Sequence, residues 1–208
     1  MESKDVSAEG RTERKKKETR QKIVNVALDL FQRQGFGNTT MEQIAEETDI
    51  ARKTLYNHFS VKEAIVDEYV KGISRQGAHE TLETLRSLPN TRLRLQYTFD
   101  KLYEWVEINP EIIGISLGYR LKNMYQGAGY SGGGSQSLIE EIIRLGRQAG
   151  EIRQDIPAKL LVKQLDTLRM TVVLDWLNDT SGLELRKEMA KLVDLFLTGA
   201  MAREDGSN

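Results

Sequence analysis

The chain contains no cysteine, which excludes a disulfide framework, a thiolate nucleophile and any cysteine-ligated metal site. Histidine is almost as scarce. Beyond His58 there is only His79, and with no second histidine or cysteine near it a metal site is not expected. Serine, histidine and aspartate are nowhere arranged for acyl transfer, so neither an enzyme nor a cofactor is anticipated. The glycine-rich stretch 127–134 lacks the Gly-Lys-Ser/Thr ending of a phosphate loop and reads as a flexible linker. No apolar run approaches the roughly 20 residues needed to span a bilayer. Residues 1–22 are polar throughout, unlike a secretory leader, and a cytoplasmic location is the expectation. Three prolines in 208 residues, together with long helix-period apolar patterns, point to an all-α protein.

What is present is unevenly distributed. The formal net charge is −1, yet residues 1–62 hold 12 Lys+Arg against 10 Asp+Glu. Seven basic residues (Arg11, Arg14, Lys15, Lys16, Lys17, Arg20 and Lys22) stand against only Glu13 and Glu18 within residues 11–22. A positive front on a near-neutral chain suits an anionic polymer as partner. Residues 1–13 are aperiodic, and residues 1–16 are expected to form a flexible basic arm.

From about residue 17, Ile23, Ala27, Leu30 and Phe31 recur at helical spacing up to Gly35, a candidate left-handed cap. Thr40-Met-Glu-Gln43 has the form of a capping box and opens a second helix bearing Ile44 and Ala45. A break at residues 49–51 precedes a short third helix over 52–58, and Ser60-Val-Lys-Glu63 reads as another capping box before a long fourth helix. Three helices in about fifty residues, the last two joined by a tight turn, make a helix-turn-helix over residues 17–62. The remainder, 63–208, is expected to be a helical body, with about nine helices in all. Pro89 and Pro110 separate helices four, five and six, and Pro157 opens helix eight. Ser181-Gly-Leu-Glu184 reads as a capping box for helix nine, and residues 203–208 as a frayed end.

In the third helix, Leu55 and Phe59, four apart, supply a buried face. Arg52, Lys53, Thr54, Asn57 and His58 point elsewhere with side chains suited to base edges or phosphates. The segments Thr19-Arg-Gln-Lys-Ile-Val-Asn-Val-Ala-Leu-Asp-Leu-Phe and Arg52-Lys-Thr-Leu-Tyr-Asn-His-Phe-Ser-Val-Lys-Glu63 closely resemble the head of TetR-family regulators. The family pattern runs Thr-Leu-Tyr-x-(His/Tyr)-Phe-x-x-Lys-Glu. The resemblance implies that Thr40, Tyr56, His58 and Lys62 contact phosphates and set register. Two positions depart from it. Asp49 stands where glycine is usual, and Ala51 where a serine or threonine cap is usual, at a cost of about 1 kcal/mol.

For the body, the resemblance implies a ligand pocket between helices five to eight and a dimer interface on helices eight and nine. The residues to line the pocket are then Phe99, Tyr103, Ile113, Leu117, Leu121, Leu138, Ile142, Met170, Val173 and Trp176. Leu161, Leu165, Leu168, Val172, Leu192, Leu195 and Phe196 are the interface residues. Few charges lie near these positions, which suggests a small, mainly apolar or aromatic effector. The expected function is that of a DNA-binding transcriptional regulator, released from a pseudo-palindromic operator by its ligand and acting as a homodimer. A regulator without an effector, or an activator, is the alternative.

Overall fold

The computed structural model of the chain describes residues 5–126 and 134–200. The expected linker, apart from Gly134, lies outside the described residues, as do residues 1–4 and 201–208. Among the described residues there are nine α-helices and no strand. They are α1 (Asp5–Gln34), α2 (Met41–Thr48), α3 (Arg52–His58), α4 (Lys62–Ser87), α5 (Thr91–Ile108), α6 (Pro110–Tyr125), α7 (Gln136–Gln148), α8 (Ala158–Asn178) and α9 (Leu185–Ala200). Among the described residues no helix is long and apolar enough to cross a membrane. The chain divides into two compact units, residues 1–69 and 70–208, with the division falling inside α4.

The first unit is built on one cluster in which Ile23, Val24, Ala27 and Leu30 of α1 meet Ile44 and Ala45 of α2, Leu55 of α3, Phe59, and Ile65 of α4. Its helix ends follow local chemistry. Gly35, at φ +87°, closes α1, and its N–H donates to the Phe31 carbonyl at 2.9 Å. At the start of α2 both capping-box bonds form: Gln43 N–H donates to Thr40 Oγ1 and Thr40 N–H to Gln43 Oε1.

The structure corrects three helix starts. Helix α1 begins at Asp5, so the expected arm is helical from residue 5. Residues 11–18 are exposed on all sides, and a helix projecting into water needs no apolar stripe. Its Lys, Arg and Glu residues are good helix formers, and Arg14 and Glu18 pair one turn apart at 3.5 Å. Helix α4 opens at Lys62, one residue later than a cap at Ser60 requires. Helix α9 opens at Leu185, because Ser181-Gly182 is instead held as a turn by Asp179, whose carboxylate accepts the Gly182 N–H at 2.9 Å.

In the second unit α7 is central, with Leu138, Ile139, Ile142 and Ile143 all fully buried. It packs on α5 and α8, while α9 lies against α5 and α8. A Cβ at Gly146 of α7 would sit 2.4 Å from Thr91 Oγ1 and 2.7 Å from the Ile152 side chain, so the close approach requires glycine. The start of α5 is capped twice. Asn90 Oδ1 accepts the Leu93 N–H at 2.9 Å, and the Glu151 carboxylate accepts the Thr91 N–H at 2.6 Å.

This packing overturns most of the expected dimer face. Leu161, Leu165, Leu192 and Phe196 are buried within the protomer. Helices α8 and α9 turn their apolar stripes on each other and on α5 and α7, so these side chains have no surface left to offer. Leu168 and Val172 are half-buried. Leu195 is 68% exposed, and Leu160, absent from the expected set, is 44% exposed.

Candidate nucleic-acid interface and body cavity

Helices α2 and α3 are joined by a turn that holds both departures noted above. Asp49 adopts the left-handed region at φ 58°, ψ 51°. Its N–H donates to the Glu46 carbonyl at 3.0 Å, and the Ile50 N–H to the Ala45 carbonyl at 3.0 Å, a Schellman closure. Aspartate tolerates this region better than a bulkier residue would, though less well than glycine. Ala51 has the extended cap conformation, φ −62° and ψ 142°, but no side chain to accept a bond.

Helix α3 is anchored by Leu55 and Phe59, both buried. At about 100° per residue, positions 52, 53, 56 and 57 share an arc of roughly 140° that excludes both anchor residues, with Arg52 at its edge nearest them. Arg52, Lys53 and Asn57 are exposed, as is Tyr56 at 46%. Tyr56 Oη lies 3.4 Å from Glu42 Oε1. Thr54 and His58 flank this face and are half-buried. Burial, then the charges of Arg20 and Lys16, hold His58 below the usual imidazole pKa. The lowered pKa favours its neutral form, and Lys16 on the projecting part of α1 is close enough to bias it. Thr40 is exposed at the α2 N-terminus.

Lys62 departs from its expected role. Its ammonium donates to the carbonyls of Phe36 at 2.6 Å, Thr39 at 3.0 Å and Gly37 at 3.4 Å, and lies 4.3 Å from the Phe36 ring centroid. An ammonium has three donors, and all three are engaged, so Lys62 holds the α1–α2 loop rather than standing free for a phosphate. Arg20 and Lys22 are likewise drawn inward. Arg20 donates to the His58 carbonyl at 2.7 Å and to Glu68 at 2.9 Å, over the Phe59 ring. Lys22 donates to the Thr48 carbonyl at 2.6 Å, capping α2. Nothing local in the sequence marks these three as staples, since their partners lie 23 to 48 residues away.

In the body, a half-open cavity of about 90 Å³ is lined by Tyr103, Ile113, Leu117, Met170 and Val173 from the expected set. The other five do not line it. Leu138 and Ile142 are buried in the α7 core, Phe99 is buried beside Tyr103, Trp176 is buried elsewhere on α8, and Leu121 is half-buried. The remaining wall is more polar than expected: Ser74 of α4, Ser116 and Arg120 of α6, and Asp166 and Arg169 of α8, with Val70 and Val106 completing it. Arg169, with a side chain 12% exposed, donates to Tyr103 Oη at 2.9 Å, Ser135 Oγ at 3.2 Å and Asp166 Oδ1 at 3.2 Å. Burial opposes its charge, but Tyr103 and Asp166 hold its pKa above the ordinary value. Tyr103 is pushed up by burial, which outweighs the neighbouring guanidinium. The sequence did carry a signal for this pair. Asp166 and Arg169 share the stripe of α8 that holds Val162, Leu165, Val173 and Trp176, and charges on a buried face call for a partner or a ligand. The lining is therefore not that of a mainly apolar or aromatic site. Among the described residues no His, Asp and Glu cluster could hold a metal, and His79 is exposed.

A capped positioning helix, a tight turn and a short helix that buries one face and offers arginine, lysine and asparagine on the other define a helix-turn-helix DNA-binding protein. Residues 23–69 match the family model described as "Bacterial regulatory proteins, tetR family". Over 56 residues the chain is 41% identical to the HTH-type transcriptional regulator TcmR of Streptomyces glaucescens, spanning 27% of this chain and 25% of TcmR. It is 23% identical to the "Probable acrEF/envCD operon repressor" of Escherichia coli K12 over 94% of this chain and 92% of that one. Its fold matches the crystal structure of Thermus thermophilus FadR, a TetR-family transcriptional repressor in complex with lauroyl-CoA. The TM-score is 0.76 and the identity 26%, over 91% of this chain and 98% of that one. Residues 23–69 thus carry the DNA-binding head of TetR-family regulators, and the chain as a whole is similar to TetR-family transcriptional repressors.

Proposed function

We propose that this regulator is a repressor that binds a pseudo-palindromic operator as a homodimer and is released by a small-molecule effector. The observation that carries the reading is the course of α4. It begins at Lys62, four residues after the recognition helix ends at His58, and further along it contributes Val70 and Ser74 to the cavity wall. An effector in that cavity touches the helix that leads into the DNA-binding head. FadR of Thermus thermophilus, a repressor whose structure holds lauroyl-CoA, lends support to the sensor reading. On this reading residues 17–62 are the DNA-binding domain, preceded by an α1 extension whose Lys15 and Lys16 track phosphates, and 63–208 are the sensing and dimerising body. Arg52, Lys53 and Asn57 read base edges, while Thr40 and Tyr56 contact phosphates. Leu160, Leu168, Val172 and Leu195 supply the apolar part of the dimer face.

Two recognition helices must then be spaced about 34–36 Å apart, or a multiple of that, to meet successive major grooves. An effector that prefers the DNA-incompetent state by about 1–3 kcal/mol suffices for release. The modest cavity, about 90 Å³ against the several hundred common for ligand pockets, favours a second reading, a regulator without an effector. Selection of bound DNA from a random pool tests the core of the proposal. A palindromic consensus is expected. A folded, dimeric protein that enriches no palindrome refutes it.

A further inference from the structure

Helix α2 has two polar flanks, and they face different neighbours. On one, Glu47 accepts from Arg33 of α1 at 3.1 Å, and Gln43 accepts from Gln34 at 3.1 Å. Glu42 lies on the other. It is half-buried, and its Oε1 accepts from Tyr56 Oη of α3 at 3.4 Å. A carboxylate therefore stands beside the face of α3 that offers Arg52, Lys53 and Asn57, on a surface meant for a polyanion. Phosphates repel it, so it has no place there as a phosphate contact.

The hydrogen-bond inventory says what it can do. A tyrosine hydroxyl has one hydrogen to donate. Glu42 takes it while DNA is absent, through a contact longer than an ordinary hydroxyl bond and so given up at little cost. Phosphate oxygens also only accept. When Tyr56 turns its hydrogen to a phosphate, Glu42 loses its partner just as DNA displaces its water. A desolvated carboxylate without a donor is strongly unfavourable, so the DNA must return one. In the major groove guanine offers N7 and O6 and thymine offers O4, all acceptors. The donors are cytosine N4 and adenine N6, and adenine sets its N7 lone pair beside that amine. Cytosine is the base edge that meets a carboxylate without an opposing lone pair.

We propose that Glu42 is a specificity-determining residue that reads a cytosine in each half-site, accepting from its N4–H while Tyr56 exchanges Glu42 for a phosphate. This rests on the reading of the head as an operator-binding surface. It adds to Arg52, Lys53 and Asn57 a base reader on the neighbouring helix, one that also selects by repulsion, since a guanine or thymine edge there confronts it with lone pairs.

The test is selection of duplex DNA from a random pool by the full-length protein, repeated with Glu42→Gln, Glu42→Ala and Tyr56→Phe, each checked for folding by circular dichroism. The parent is expected to select a cytosine at one position of each half-site, preferred over the other bases by about tenfold. Glutamine pairs with adenine through N6 and N7, so Glu42→Gln is expected to turn that position to adenine. Glu42→Ala is expected to leave it without preference, the rest of the palindrome unchanged. Tyr56→Phe is expected to weaken binding to all sequences alike and to keep the cytosine. A second measurement needs no variant. N4-methylcytosine keeps its Watson–Crick pair and puts a methyl group where the major-groove N4–H was. Scanned through the cytosines of the selected site, it is expected to weaken binding by the unaltered protein about tenfold at one position per half-site. A palindrome that folded Glu42→Gln and Glu42→Ala both leave unchanged, or N4-methylcytosine tolerated at every position, overturns the proposal and leaves the operator reading standing. Loss of the cytosine in folded Tyr56→Phe overturns the exchange of partners. A folded, dimeric protein that enriches no palindrome overturns the operator reading and this proposal together.

Discussion

Replacing Lys62 by methionine separates two roles that the family pattern and the structure assign differently. The substitution keeps an unbranched stem and removes the ammonium that bridges the Phe36 and Thr39 carbonyls at 2.6 and 3.0 Å. A hydrogen bond from a charged donor contributes about 1.5–3 kcal/mol. Lys62 is only half-buried, so the lower figure applies to each of the two short bonds, and the 3.4 Å approach to Gly37 adds little. Lys62→Met should therefore destabilise the head by about 3 kcal/mol, read as a lowered urea midpoint. Operator affinity should fall because Thr39 and Thr40, which carry the start of α2, lose their tether. The dependence of affinity on salt decides the matter. Each phosphate contact contributes about 0.9 to the slope of log K against log salt. A residue that only positions the loop leaves that slope unchanged once folding is verified by circular dichroism at the binding temperature. A slope reduced by about 0.9 per head, with an unaltered urea midpoint, would show that Lys62 contacts phosphate and that its carbonyl bonds are incidental.

Other outcomes follow from the same geometry. Ala51 already has the cap conformation, so Ala51→Ser should stabilise the head by about 1 kcal/mol in chemical unfolding; no gain would mean that the recognition helix is not limited by its cap. Leu165→Ala, inside the protomer, should cost about 2–5 kcal/mol and leave the sedimentation-derived mass unchanged. Leu195→Asp, on the exposed face, should shift that mass toward the monomer with little loss of protomer stability, and an unaltered mass would exclude this face from the interface. Glu141 is held at about 2 by hydrogen bonds from Arg144 and Arg86, despite some burial. Its pKa lies below the unfolded value, so its contribution is complete above about pH 4.5 and is lost as pH falls toward 2. Glu141→Gln should flatten the acid limb of the stability curve there, and an identical limb would count against the pair.

Helix boundaries in the head were legible in the sequence wherever a cap acts within a few residues. Gly35, the Thr40–Gln43 box and the span of α3 all depend on bonds no more than four residues long. The same local rule misled at Ser181, because a side chain two residues earlier, Asp179, accepts the Ser181 hydroxyl and the Gly182 N–H. Helical periodicity marked burial rather than helicity, and so it missed the exposed first turns of α1.

The sequence by itself determined the class of this protein. The order of a capped helix, a tight turn and a short helix with one apolar face is written in adjacent residues, and so is the choice of Arg52, Lys53 and Asn57 for the outer face. Only the tertiary structure decided which cations remain free for DNA, because Arg20, Lys22 and Lys62 are claimed by carbonyls and a carboxylate that chain separation hides. It also decided the character of the cavity and the residues left for a partner. An apolar stripe records that a side chain is buried, but whether its neighbour is another helix of the same chain, a ligand or a second copy depends on how helices far apart in sequence come together.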